Sequence, residues 1–347
     1  MPFRSLLICV ALLTACVPEY NSDCNTEGGL YENVDFKIGT AVAPLELKFN
    51  QSYSNLVKDQ FNQITPGNAF KPDALQPIQG SFSFNQADEL VTFALENHKQ
   101  IHGHCLVWHN QIPFWLKEFS GSKEQWVTIL EKHIKTVVRH FGENVKAWDV
   151  VNEAFEDDGS YRETIWYKNI GKEYIQLAFE FAHKANPNAL LFYNDYNIAA
   201  KTKKCEAILE HLNELVENGV PVHGIGMQLH ISINYPSESK IETAAKTIAN
   251  NGFLVHFSEV DVSVNPNGGG VNLSDRILNR QSEKYVQLAE IYKMLPVENQ
   301  YAFTTWGVSD LDSWIPSYFG REDYPLLFDY NYEPKPAYCA LNETLGQ

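Results

Sequence analysis

Trp148-Asp149-Val150-Val151-Asn152-Glu153-Ala154 decides how the rest of this chain is read. The run from Val145 to Val151 carries the β-branched and aromatic residues of a buried strand. Asn152 and Glu153 follow where that strand should end. A second apolar run, Phe253-Leu254-Val255-His256-Phe257-Ser258-Glu259, also delivers a glutamate at its end, 106 residues after the first. At roughly 30 to 35 residues per βα unit, that is about three units. Strands three apart in a ring of eight face one another across its mouth, and the C-terminal rim of such a ring is where catalytic groups collect. The expected fold is α/β, a single (β/α)8 TIM barrel.

Reading outward supports that ring. Phe36–Val42, Asn62–Pro66, Ile101–Trp108, Leu190–Asn197, Gly224–His230 and Tyr301–Gly307 are six further strand candidates. Between them lie segments of helical periodicity, such as Asn85–Lys99, with Ala87, Leu90, Val91 and Ala94 on one face. Asn85 offers an N-cap to that helix, and Ser122-Lys123-Glu124-Gln125 is a capping-box pattern opening a helix to about His140. No internal repeat or low-complexity linker follows residue 35, so one barrel domain over 36–347 is the economical reading.

The 347 residues are 44% hydrophobic and 13% aromatic, enough for a large core, and the formal charge is −16. An acidic surface argues against nucleic acid and against electrostatic binding to anionic lipid. It suits a neutral polymer such as a polysaccharide. Arg4 followed by the apolar run Leu6–Leu13 has the form of a signal peptide, too short for a permanent membrane span. Leu13-Thr14-Ala15-Cys16 resembles a bacterial lipoprotein processing site with Cys16 as the lipidated residue; an ordinary secretory signal cut nearby is the alternative. The expected organisation is a lipoprotein signal peptide over 1–15, a polar tether over 16–35 and the barrel, giving an exported, membrane-anchored monomer, periplasmic or at the cell surface, that meets membrane only through its lipid. Of the remaining cysteines, Cys105 reads as a core residue, while Cys24 and Cys339, at the two ends of a closed barrel, are candidates for a disulfide.

The strand ends share a polar and aromatic set: His104, Trp108, His109, Asn152, Glu153, Asn194, Tyr196, Gln228, His230, Glu259, Asp261, Trp306 and Trp314. Singly, each has an ordinary structural reading; recurrence at one topological position points to a site. The set contains what a retaining glycosidase needs. One carboxyl protonates the leaving oxygen, the other attacks the anomeric carbon, and the two stand about 5 to 5.5 Å apart. Asn152 is placed to bond a sugar hydroxyl, His230 to hold the attacking carboxylate ionised, and Asp261 to orient a histidine. Trp306 and Trp314 offer flat faces to pyranose rings. No HExxH is present and carboxylates outnumber imidazoles, so neither metal nor cofactor is expected.

Six stretches in order resemble glycoside hydrolase family 10, the endo-β-1,4-xylanases: GHCLVWHNQIPFW (103–115), WDVVNEA (148–154), YNDYN (193–197), GIGMQLH (224–230), SEVD (258–261) and TTWGVSD (304–310), followed by Trp314. The resemblance covers about residues 36 to 343. It implies Glu153 as acid/base, Glu259 as nucleophile, and xylan or xylo-oligosaccharides as partners. Lys71, His104, Trp108, Asn152, Gln228, His230, Trp306 and Trp314 would line the glycone subsites, with Tyr196 near the leaving group and Asn68 also matching. At Pro66-Gly67-Asn68-Ala69-Phe70-Lys71-Pro72 the chain departs: Gly67 replaces a glutamate that would bond the second glycone sugar, and Pro72 replaces a tryptophan. A β-1,4-glucanase on the same barrel and a tethered, non-catalytic xylan-binding protein are the alternatives. Two facing glutamates argue against the latter.

Overall fold

The computed structural model describes residues 28–347. Cys16, Cys24, the signal peptide and nearly all of the tether lie outside the described residues. The strands are β1 (Lys37–Val42), β2 (Gln63–Pro66), β3 (Gln100–Val107), β4 (Ala147–Asn152), β5 (Leu190–Asp195), β6 (Gly224–Met227), β7 (His230–Ser232), β8 (Leu254–Ser263) and β9 (Gln300–Thr305). Every ladder is parallel; β1 pairs with both β2 and β9, and β6 pairs with β8, so eight strands close into a barrel. Helices follow the strands around the outside, as parallel connections require.

The strands are buried almost throughout because the helices cover their outer faces. Trp148 on β4 is fully buried and stacks with Phe70 at 5.6 Å. Removing such a ring from water contributes on the order of 3 kcal/mol. Inside, the barrel floor is filled by His102, Phe192, His256 and Tyr301, whose rings meet edge-on or tilted at 4.5 to 6.0 Å. Burial, with His102 beside it, keeps the His256 pKa far below the usual range, so the His256 ring is neutral.

Three expectations change. The sixth strand was expected to run through His230. Instead it breaks after Met227: Leu229 adopts φ +56°, and His230–Ser232 resume pairing against the outer half of β8. The seventh was expected to end at Glu259, but β8 continues to Ser263, with an irregular register between Phe257 and Val260. Asn85 is the first helical residue and does not cap its helix, whereas the Ser122–Gln125 capping box forms as read. Cys105 is free and buried, and Cys339 is disulfide-bonded; Cys24, its candidate partner, lies outside the described residues.

Candidate active site

Glu153 sits one residue past β4 in the left-handed conformation, φ +58°. For a side chain larger than glycine's this costs about 1–2 kcal/mol. Neighbouring bonds hold it: the Glu153 amide donates to Asn194 O at 2.9 Å, and the Ala154 amide to Tyr193 Oη at 2.9 Å. The turn lifts the carboxyl out of the strand line and into the cleft. Glu259 reaches the same cleft from inside β8, where the irregular register turns it inward.

Two amides bridge the carboxyls. Asn194 Nδ2 donates to Glu259 Oε1 at 2.7 Å and to Asn152 Oδ1 at 2.9 Å; Asn152 Nδ2 donates to Glu153 Oε1 at 3.3 Å. Gln228 Nε2 donates to both Asn152 Oδ1 (3.2 Å) and Glu153 Oε1 (3.1 Å). Ser258 Oγ donates to Asn194 Oδ1 at 2.6 Å, which fixes the Asn194 amide with its NH2 toward Glu259. Asn194 lies directly over Gly226, where an added Cβ would come 2.1 Å from Asn194 Oδ1. Gly226→Ala is therefore expected to displace Asn194 and lower kcat/KM about 10²-fold, while circular dichroism shows the barrel still folded.

Glu259 is also held by His230. His230 Nε2 bonds Glu259 Oε2 at 3.1 Å, and Nδ1 bonds Asp261 Oδ2 at 2.8 Å. Burial disfavours the imidazolium, but Asp261 and Glu259 on either side push the His230 pKa up to about 10. The ring is thus a cation at neutral pH and donates from both nitrogens. Burial likewise opposes ionisation of Glu259, yet the His230 bond, the fields of His104 and His230, and the Asn194 bond outweigh it and hold its carboxyl below the usual range. Replacing His230 by asparagine leaves burial less opposed. The Glu259 pKa should rise, and the acidic limb of the kcat/KM–pH profile should move to higher pH. A limb that stays put would break this link.

The remaining expected residues line the same cleft, about 970 Å³ in volume. Lys71 Nζ donates to Asn68 Oδ1 (3.0 Å) and Gln111 Oε1 (2.6 Å) and lies 4.9 Å from the Trp108 ring centre. Burial lowers its pKa. His104 Nδ1 bonds Asp149 Oδ2 at 2.9 Å, which fixes the ring's orientation. The Trp306 ring meets His104 edge-on at 5.2 Å. Trp314 Nε1 donates to Asp261 Oδ2 at 2.9 Å, so one carboxylate positions both His230 and Trp314. On the far side Tyr196 receives a hydrogen bond from Arg162, and its ring covers Lys204 Nζ at 3.9 Å. Lys204 in turn pairs with Asp195 at 2.7 Å, both fully buried. The indole Nε1 of Trp108 and Nδ1 of His109 are buried without a hydrogen-bond partner among the described residues.

The structure brings Asn68, Lys71, His104, Trp108, Asn152, Glu153, Tyr196, Gln228, His230, Glu259, Trp306 and Trp314 around one opening, with Asp261 behind them. Sequence reading missed Arg162 and Gln111, which lie in loops without periodicity, and gave Asn194 no bridging role. Among the described residues no cluster of His, Cys, Asp and Glu has the makings of a metal site.

The description of glycosyl hydrolase family 10 matches residues 29–344. The chain is 40% identical over 349 residues to endo-1,4-beta-xylanase B of Thermotoga neapolitana, covering 99% of this chain and 98% of that protein. It is 40% identical to endo-1,4-beta-xylanase A of Caldicellulosiruptor sp. (strain Rt8B.4), but spans only 48% of that longer protein. The crystal structure of xylanase 10B from Thermotoga petrophila RKU-1 in complex with xylobiose is similar at a TM-score of 0.86 and 39% identity, over 91% of this chain and 95% of that one.

Proposed function

The chain belongs to glycosyl hydrolase family 10, and from that premise we propose that it is an endo-1,4-β-xylanase, hydrolysing internal xylosidic bonds with retention. The observation that carries this is the pair of carboxyls joined by the Asn152–Asn194 bridge at the foot of an open cleft. Glu259, kept ionised by His230, attacks the anomeric carbon while Glu153 gives a proton to the departing oxygen. A glycosyl ester forms on Glu259. Glu153, now a carboxylate, takes a proton from water, which attacks the same carbon, frees Glu259 and restores the starting configuration. Asn152 lines the cleft, where the sugar's 2-hydroxyl strengthens its bonds in the transition state, and Asn194 holds it from behind. Trp108 Nε1 and His109 Nδ1 gain partners from sugar hydroxyls, as buried donors and acceptors require. Incubation with linear xylan and cellulose oligomers, followed by product analysis and proton NMR of the first anomer released, tests the reading. Xylo-oligosaccharides with a β anomer are expected; release from cellulose alone, or an α anomer, overturns it.

Gly67 faces this cleft, and a Cβ there would meet only Val42 O at 3.5 Å. We infer weaker binding of the second glycone sugar than in relatives with glutamate there. Gly67→Glu is expected to raise kcat/KM on xylotriose about 5-fold or more, roughly one charge-assisted hydrogen bond; no gain would count against it. The pattern Leu13-Thr14-Ala15-Cys16 further supports a lipid-anchored, exported protein. Cys16→Ser should abolish incorporation of labelled fatty acid.

A further inference from the structure

The cleft continues onto an aromatic shelf that the catalytic scheme does not use. The short helix Trp314–Phe319 starts at Ser313, whose hydroxyl caps the Ile315 amide, and ends at Gly320 in the left-handed conformation. Ile315 is its buried anchor, and the Asp261 bond to Trp314 sets its position relative to His230 and Glu259. Tyr318, four residues on, falls on the same side of the helix as Trp314, their ring centres 5.1 Å apart. Phe319 meets Tyr318 edge-on at 4.9 Å and 81°. The Arg321 guanidinium lies 4.5 Å from the Phe319 ring centre. Phe319 is thus engaged on two sides, whereas the Tyr318 ring is 72% exposed although it lines the cleft.

We propose that Tyr318 is a stacking platform for a xylose residue beyond the one against Trp314, with Phe319 and Arg321 as its support. This rests on the xylanase reading and adds a subsite to it. The occupant is a sugar of the bound chain, because the shelf is continuous with the cleft and shares its fixed point, Asp261, with the catalytic pair. A pyranose without a hydroxymethyl group presents flat C–H faces to such a ring. The ring is held at the rim by Phe319, so little conformational freedom is lost when a sugar settles on it. Stacking needs the ring and not the hydroxyl.

The test is kcat/KM on xylotriose through xylohexaose for the wild type, Tyr318→Ala, Tyr318→Phe and Phe319→Ala. For Tyr318→Ala a loss of about 3- to 10-fold is expected on the long oligomers, with less than 2-fold on xylotriose. Tyr318→Phe should retain the wild-type values, and Phe319→Ala should give a smaller loss of the same length dependence. Thermal melting of the variants serves as the folding control, and an exposed ring should leave it unchanged. A loss independent of chain length, or no loss, overturns the platform while leaving the xylanase reading intact. Absence of wild-type activity on every xylo-oligomer overturns both.

Discussion

Glu259→Ala is expected to lower kcat on xylan by at least about 10⁴-fold while leaving binding of xylo-oligosaccharides within a few-fold of the wild type. The size follows from the role: without the carboxylate no covalent intermediate forms. His230, which bonds the Glu259 carboxylate, is a cation that donates from both nitrogens and cannot take its place. Binding survives because the Trp108, Trp306, Trp314, Lys71 and Gln228 contacts remain. Loss of Glu259 also removes a partner that keeps His230 protonated, so Asp261 alone then faces that ring's Nδ1. Reducing-sugar release together with calorimetric titration of xylotetraose separates the two effects. Equal loss of turnover and binding would mean that Glu259 serves to hold the sugar.

Glu153→Ala gives a different signature, and the second largest effect. On xylan the loss should be about 10³-fold, within the range for a positioned general acid and base. On an aryl xylobioside whose leaving group needs no proton, the first step should proceed nearly unimpeded. Turnover then stalls at the glycosyl ester because the base for water is missing. Azide, which needs no base, should restore release and give a β-glycosyl azide. An equal loss on aryl and natural substrates, with no azide effect, would remove Glu153 from the proton-transfer role. The pair thus predicts different dependence on leaving group: Glu259→Ala loses the first step on both substrates, Glu153→Ala only on the natural one.

The barrel was legible because each strand is a short apolar run closed by polar residues, and because helical spacing fills the intervals between. Glu153 was legible for the same reason, as it lies one residue past β4. What period alone does not encode is irregularity. The break between Met227 and His230, and the irregular register around Glu259, come from how neighbouring strands pair, which is a non-local property. Yet these two features aim Gln228, His230 and Glu259 at the opening. The bridging of Asn194 was hidden similarly: its geometry depends on Gly226 beneath it and Ser258 beside it, on two other strands. Arg162 and Gln111 belong to loops, where no periodicity marks a functional side chain. The family motifs carried the assignment of Lys71, which sequence spacing by itself would have left as an ordinary surface cation, and gave Tyr196, already among the strand-end residues, its place near the leaving group.

The two buried carboxyls, separated by two amides, have different neighbours. Glu259 is flanked by a cation and by amide hydrogens, all favouring the charged form. Glu153 receives amide hydrogens on Oε1, and its other oxygen lies 3.9 Å from His109 Nε2. Burial lowers the His109 pKa, so this neighbour is a neutral ring at neutral pH. The cationic His230 thus bonds the attacking group, while the neutral His109 ring lies beside the proton donor.

The most direct measurement is capture of the covalent intermediate. A 2-deoxy-2-fluoro xylobioside with a good leaving group, which forms the glycosyl ester but hydrolyses it slowly, should add one 2-deoxy-2-fluoroxylobiosyl unit to the intact protein by mass spectrometry. After pepsin digestion that mass should lie on the peptide containing Ser258-Glu259-Val260. A label on any other residue, or full turnover with no label at all, would contradict attack by Glu259.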